Sequence, residues 1–100
     1  MHFAGKDQGV AELQLSGRFD FSVFRSFREL YEPVIADPDV QVIRLDFSAV
    51  EYLDSAALGM LLMLREKAEK NGKKAVLIGC QGSVRQLLEV AHFSRLFEIS

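Results

Sequence analysis

The chain has 100 residues, 49% apolar and 26% charged, the composition of a folded globular protein and not of a disordered or fibrous one. A formal net charge of −2, with Glu66 and Glu69 interrupting the only basic run, REKAEKNGKK, offers no phosphate-neutralising surface and argues against direct binding of nucleic acid. The single cysteine, Cys80, excludes an internal disulfide, a CxxC redox pair and a cysteine-based zinc site.

The first elements are strands. A weak N-terminal strand around His2 to Ala4 precedes VAELQLSG, which alternates well enough for a strand with one buried face and is stopped at Gly17. From Ser22 the period becomes helical: Phe24, Phe27, Leu30, Tyr31, Val34 and Ile35 share one side, and Arg25, Arg28, Glu29 and Glu32 the other. Pro33 lacks an amide proton and crowds the Glu29 carbonyl, so a kink or early end is expected there. VQVIRLDF, β-branched and of strand length, follows as a central strand with Asp46 near its end.

EYLDSAALGMLLMLRE then opens a second helix, which Asn71-Gly72 closes with lysines suited to the negative end of its dipole. AVLIGC reads as a short buried strand, and Ser83-x-x-Gln86 as a capping box before a helical stripe of Val84, Leu87, Leu88 and Ala91. HFSRLFEIS ends in a last strand at Phe97 to Ile99. The order β-β-α-β-α-β-α-β implies an α/β fold in one domain, 1–100, with parallel pairs joined by helical crossovers. The start MHFAGKDQGV lacks the pattern of a signal peptide, and the longest apolar run, AALGMLLML, falls well short of the roughly 20 residues that span a bilayer. A cytoplasmic protein, not inserted in a membrane, is therefore expected.

The second helix has two sides. Advancing about 100° per residue from Ala57 puts Met60, Leu61, Leu64 and Ala68 on one core stripe. Ser55, Gly59, Leu62, Met63 and Glu66 fall opposite. Either Asp54 or Ser55 can cap the helix, since both side chains accept hydrogen bonds from first-turn amides. Leu62 and Met63 are open to two readings, covered by a neighbouring helix or exposed as a flat surface for a partner.

Catalytic chemistry finds little support. Ser55 lacks a G-x-S-x-G elbow, His2 sits near a terminus, and His92 reads as a helix-end residue facing the dipole. Asp46 could accept phosphate in a receiver domain, but the acidic pair expected after the first core strand is missing. No ligand spacing of His, Cys and carboxylates points to a metal, and no cofactor is implied.

YLDSAALGMLL after VIRLDFSAV, preceded by LSGRFDF and followed by KKAVLIGCQGSVRQLLEVAHFSRLFEI, resembles the STAS domain of bacterial anti-sigma-factor antagonists over nearly the whole chain. The match is closest to stand-alone antagonists whose motif reads D-S-S-G-L-G or D-S-S-A-L-G. The resemblance implies an α/β, STAS-type (SpoIIAA-like) fold with a mixed, mostly parallel sheet of four to five strands and about four helices. It implies that Ser55 is the acceptor of phosphate from a partner, an anti-sigma factor and serine kinase of the ATP-binding fold, and that a PP2C-type phosphatase reverses the modification. The unmodified form binds the anti-sigma factor and frees the sigma factor, acting on transcription without catalysis of its own. Asp20, in GRFDF, matches an acidic loop residue near that serine in relatives, and reads equally as a turn or cap residue before Ser22.

Two positions depart from the motif. Ala56 replaces a second serine, leaving one hydroxyl, and Ala57 replaces a glycine, favouring the helix by roughly 1 kcal/mol. The expected partner surface is Asp20, Asp54, Ala56, Gly59, Leu62 and Met63 around Ser55. The competing expectation is a non-phosphorylated STAS scaffold, or a subunit of a regulatory or transport complex, in which Ser55 serves only the helix.

Overall fold

The computed structural model describes residues 1–100. Strands β1 (His2–Asp7) and β2 (Val10–Phe19) form a hairpin, followed by a 3-10 turn (Phe21–Val23), α1 (Phe24–Ala36), β3 (Val42–Leu53), α2 (Ser55–Lys70), β4 (Lys74–Ile78), α3 (Gly82–Val90), a second 3-10 turn (Phe93–Arg95) and β5 (Glu98–Ile99). The sheet order is β1-β2-β3-β4-β5, antiparallel between β1 and β2 and parallel elsewhere. This is the α/β fold with the mixed, mostly parallel sheet of four to five strands expected from the sequence. It holds three α-helices where about four were expected, the remaining helical turns being the two 3-10 segments.

The strand order decides where the helices go. Each parallel crossover steps to the next strand in the same direction, and right-handed crossovers therefore set α1, α2 and α3 on one face of the sheet. Burial along β2 agrees: Ala11, Leu13, Leu15 and Phe19 are buried, whereas Glu12, Gln14, Ser16 and Arg18 between them are not. Phe19 packs edge-to-face on Phe27 of α1 at 4.9 Å and on Phe47 of β3 at 6.0 Å, contacts that tie the end of β2 to both neighbours. At the other end of the sheet the buried Lys73 ammonium donates to the carbonyls of Asp37 and Val40, each at 2.7 Å, so its charge lies on oxygen and not among side chains of the core.

Several boundaries differ from the sequence reading. β2 does not stop at Gly17 but passes through it with φ 67° and a shift of register, reaching Phe19; a glycine inside a strand is as much a bulge as a stop. Pro33 neither ends nor visibly breaks α1, which runs to Ala36. Pro33 and Glu29 are both exposed, so the carbonyl that loses its partner is solvated. The central strand continues seven residues beyond Asp46, whose pairing with Ile78 is the last between β3 and β4. Ser83 is not a cap: Gln81 holds that position without a side-chain bond.

Gly79 makes the exit from β4 possible. Its φ is 69°, and a Cβ there would lie 2.8 Å from Asp46 Oδ1 and 3.0 Å from the Ser48 amide nitrogen. Gly59, in contrast, sits in helical backbone with nothing within 4 Å of a built Cβ. In urea denaturation, Gly79→Ala should cost about 2 kcal/mol or more and Gly59→Ala should gain about 0.5–1 kcal/mol. Equal effects of the two substitutions would contradict this assignment.

Candidate functional site

Register brings the site together. Arg18 pairs with Tyr52 and Phe19 with Leu53, so the next residues, Asp20 and Asp54, leave the same edge of the sheet from adjacent strands. Each aspartate caps the helical segment that follows. Asp20 Oδ1 accepts from the Ser22 amide at 3.0 Å and from the Ser22 hydroxyl. Asp54 Oδ1 accepts from the Ala57 amide at 2.9 Å. The cap of α2 is therefore Asp54, and Ser55, in the first helical position, is exposed with its hydroxyl left out of the cap.

The sides of α2 fall as the helical period predicts. Ala57, Met60, Leu61, Leu64 and Ala68 are buried. On one flank Lys67 reaches α1, 3.8 Å from a Glu32 carboxylate oxygen and over the Tyr31 ring. On the other, Arg65 donates to the Leu96 carbonyl at 2.7 Å. No neighbouring helix covers the strip between: Ala56 and Gly59 are exposed, and Leu62 and Met63 are 39% and 41% accessible. All six expected partner residues thus lie at the edge or along the outward side of α2, with Asp20 and Asp54 half-buried.

Sequence reading missed Arg18 and Phe21 here. Arg18 lies 3.4 Å from Asp20 Oδ2 and 4.1 Å above the Tyr52 ring, bridging the two strand ends. The first 3-10 turn lies near α2 and carries Phe21, 67% exposed. The signal available was the spacing in RFDF, where Phe19 and Phe21 cannot both turn inward once Asp20 starts a turn. The Ser22 hydroxyl holds the Asp20 carboxyl below the ordinary aspartate range, against the desolvation of partial burial, and the Ser22 amide and Arg18 add to the effect.

The remaining reactive groups lie elsewhere. His2 pairs with Gln14 at the start of β1, and His92, with φ 60°, follows the end of α3. Asp46 Oδ1 is engaged by the Ser48 amide at 2.9 Å. Burial pushes the Cys80 thiol up to about 11, which keeps it protonated and unreactive. No three His, Cys, Asp or Glu side chains gather where they could hold a metal ion. The largest concavity, about 840 Å³, is on the helix-free sheet face among Glu12, Arg44, Lys74 and Glu98, away from the serine. Four of its charges are paired, Glu12 with Arg44 at 3.6 Å and Lys74 with Glu98 at 2.9 Å.

Residues 2–98 match the family model described as Mlab, STAS domain. A STAS-domain-containing protein of Pseudomonas aeruginosa (strain UCBPP-PA14) is 42% identical over 88 residues, 88% of this chain and 85% of that one. Among solved structures, the anti-sigma factor antagonist SpoIIAA in its unphosphorylated form superposes with a TM-score of 0.76 at 16% identity, over 99% of this chain and 86% of its own. A sulfate transporter family protein from Wolinella succinogenes does so with a TM-score of 0.76 at 20% identity, over 93% and 77%. At these identities the two structures establish the fold alone.

Asp54→Ala should destabilise the chain by about 1 kcal/mol through loss of the cap, and Ser55→Ala by less than about 0.5 kcal/mol, in denaturant titrations. Because the Asp20 carboxyl is depressed in the folded state, its contribution is present at neutral pH and lost as the pH falls through that lowered value. Carboxyl carbon NMR should place its midpoint below that of an ordinary aspartate, and Ser22→Ala should raise it. An unshifted midpoint would contradict the cap geometry.

Proposed function

The chain belongs to the STAS domain family, and on that footing we propose that it is an anti-sigma-factor antagonist switched by phosphorylation of Ser55. The carrying observation is the placement of that serine: exposed, first in α2, free of the cap that Asp54 supplies, and at the head of an uncovered strip. Unmodified, the strip binds an anti-sigma factor that is also a serine kinase of the ATP-binding fold, and the sigma factor is released to transcription. The kinase transfers the γ-phosphoryl group of ATP to Ser55 Oγ, the hydroxyl proton going to a base of the kinase and ADP leaving. A PP2C-type phosphatase hydrolyses the ester and restores the binding form.

The chemistry of the position suits a switch. A phosphate adds about −1.5 to −2 charges, and the amides and dipole of a helix start accommodate an anion, so α2 survives the modification. The cost falls on the complex, where a hydrated dianion beside Asp54 has to be desolvated against the partner. A penalty of roughly 3 kcal/mol lowers affinity about a hundredfold. On this reading the protein acts by binding, without catalysis of its own. No helix is long and apolar enough to cross a membrane.

A second reading, a STAS subunit of a regulatory or transport complex, differs by its indifference to Ser55 chemistry. Phos-tag gels and mass spectrometry of protein from growing cells should find phosphate on Ser55. In calorimetric titrations Ser55→Ala should bind the partner as the native chain does, while Ser55→Glu should bind at least tenfold more weakly with an unchanged circular dichroism spectrum. Equal affinity of both variants, with no phosphate under any growth condition, would replace the switch with the second reading.

A further inference from the structure

The geometry points to Phe21 as the anchor by which the protein partner holds this surface, seated in an apolar pocket of aromatic size with a cationic side chain on its rim. The inference rests on the reading of Ser55 given above and deepens it. At 67% accessibility Phe21 is the most exposed aromatic of the chain, although Phe19 and Phe24 on either side of it face inward. Its exposure is built in and is not the result of a loose loop. Asp20 fixes the 3-10 turn through the Ser22 amide at 3.0 Å, and the Phe21 ring stacks on Phe24 at 5.5 Å with planes 12° apart. One ring face is covered and the other open. A rigid exposed aromatic loses little freedom on docking, which is the usual property of a residue that dominates an interface.

Charge identifies what surrounds the pocket. Asp20 and Asp54 border the turn and the start of α2, and the cap holds the Asp20 carboxyl ionised. Ser22 and Arg18 already engage both Asp20 oxygens, so the carboxylate left to a cation approaching from outside is that of Asp54, where only Oδ1 is engaged, by the Ala57 amide. Because Phe19 and Leu53 are paired, the turn and the start of α2 leave adjacent strand ends, and an aromatic anchored in the turn brings the partner toward Ser55. The neutral hydroxyl is buried at the rim without great cost. A dianion at the same place is not, since desolvation in a closed interface exceeds what one cation returns.

The test uses the purified anti-sigma factor kinase, loaded with Mg²⁺ and ADP, in calorimetric titrations against the full chain. Phe21→Ala should weaken binding by about thirtyfold or more, and Phe21→Tyr should stay within about threefold of native. Since the ring is on the surface, both variants should keep a melting temperature within about 3 °C of native. Native affinity in Phe21→Ala, with Ser55→Glu weakened, would overturn the anchor and leave the switch standing. If the kinase binds native and Ser55→Glu chains alike, or neither, the switch fails and the anchor with it. An equal loss in Phe21→Ala and Phe21→Tyr with folding intact would overturn the aromatic pocket.

Discussion

The parallel register of β2 against β3 is the constraint on which the surface depends. Phe19 opposite Leu53 makes the two strands end together, and the residue after each end is an aspartate. Both aspartates turn the chain into a helical segment by the same device, a carboxylate on the first free amides. One strand pairing thus sets two caps, one followed by an exposed phenylalanine and the other by an exposed serine, at adjacent strand ends. A slip of one residue in β2 would turn Phe19 away from Phe27 and Phe47 and move Asp20 from its place, so the aromatic cluster guards the site as much as the core.

A sheet covered on one side only gives the protein two unlike faces. The helix-free face sets ion pairs, Glu12 with Arg44 and Lys74 with Glu98, around Val10, Val42 and Ile78. The helical face leaves Phe21, Leu62 and Met63 among the apolar side chains that remain in solvent. Lys67 and Arg65 brace α2 from both flanks, which holds the strip still without covering it. Rigidity here matters for function, because a partner that meets a preformed surface spends little on ordering it.

Much of this was legible in the sequence because helices write their faces at a fixed period. The buried side of α2 and its outward serine followed from 100° steps alone, and Asn71-Gly72 marked its end. What escaped was decided by backbone detail. Gly17 could stop a strand or bulge it, and the parallel ladder with β3 chose the bulge. Pro33 could break α1, and solvent on its exposed side removed the penalty. Asp46, Ser48 and Glu51 hid the second half of β3, since polar residues on an open edge look like a loop. Arg18 and Phe21 escaped for another reason: their roles come from what lies across the sheet, which no local pattern records.

The central claim is that a phosphate on one hydroxyl, in a fold that tolerates it, abolishes a protein contact. The most direct measurement compares the native chain with the same chain carrying phosphoserine at position 55, titrated calorimetrically into the anti-sigma factor kinase. Matching amide NMR spectra away from the start of α2, with affinity reduced about a hundredfold, are expected. Indistinguishable affinities, or a loss that accompanies unfolding of α2, would contradict it.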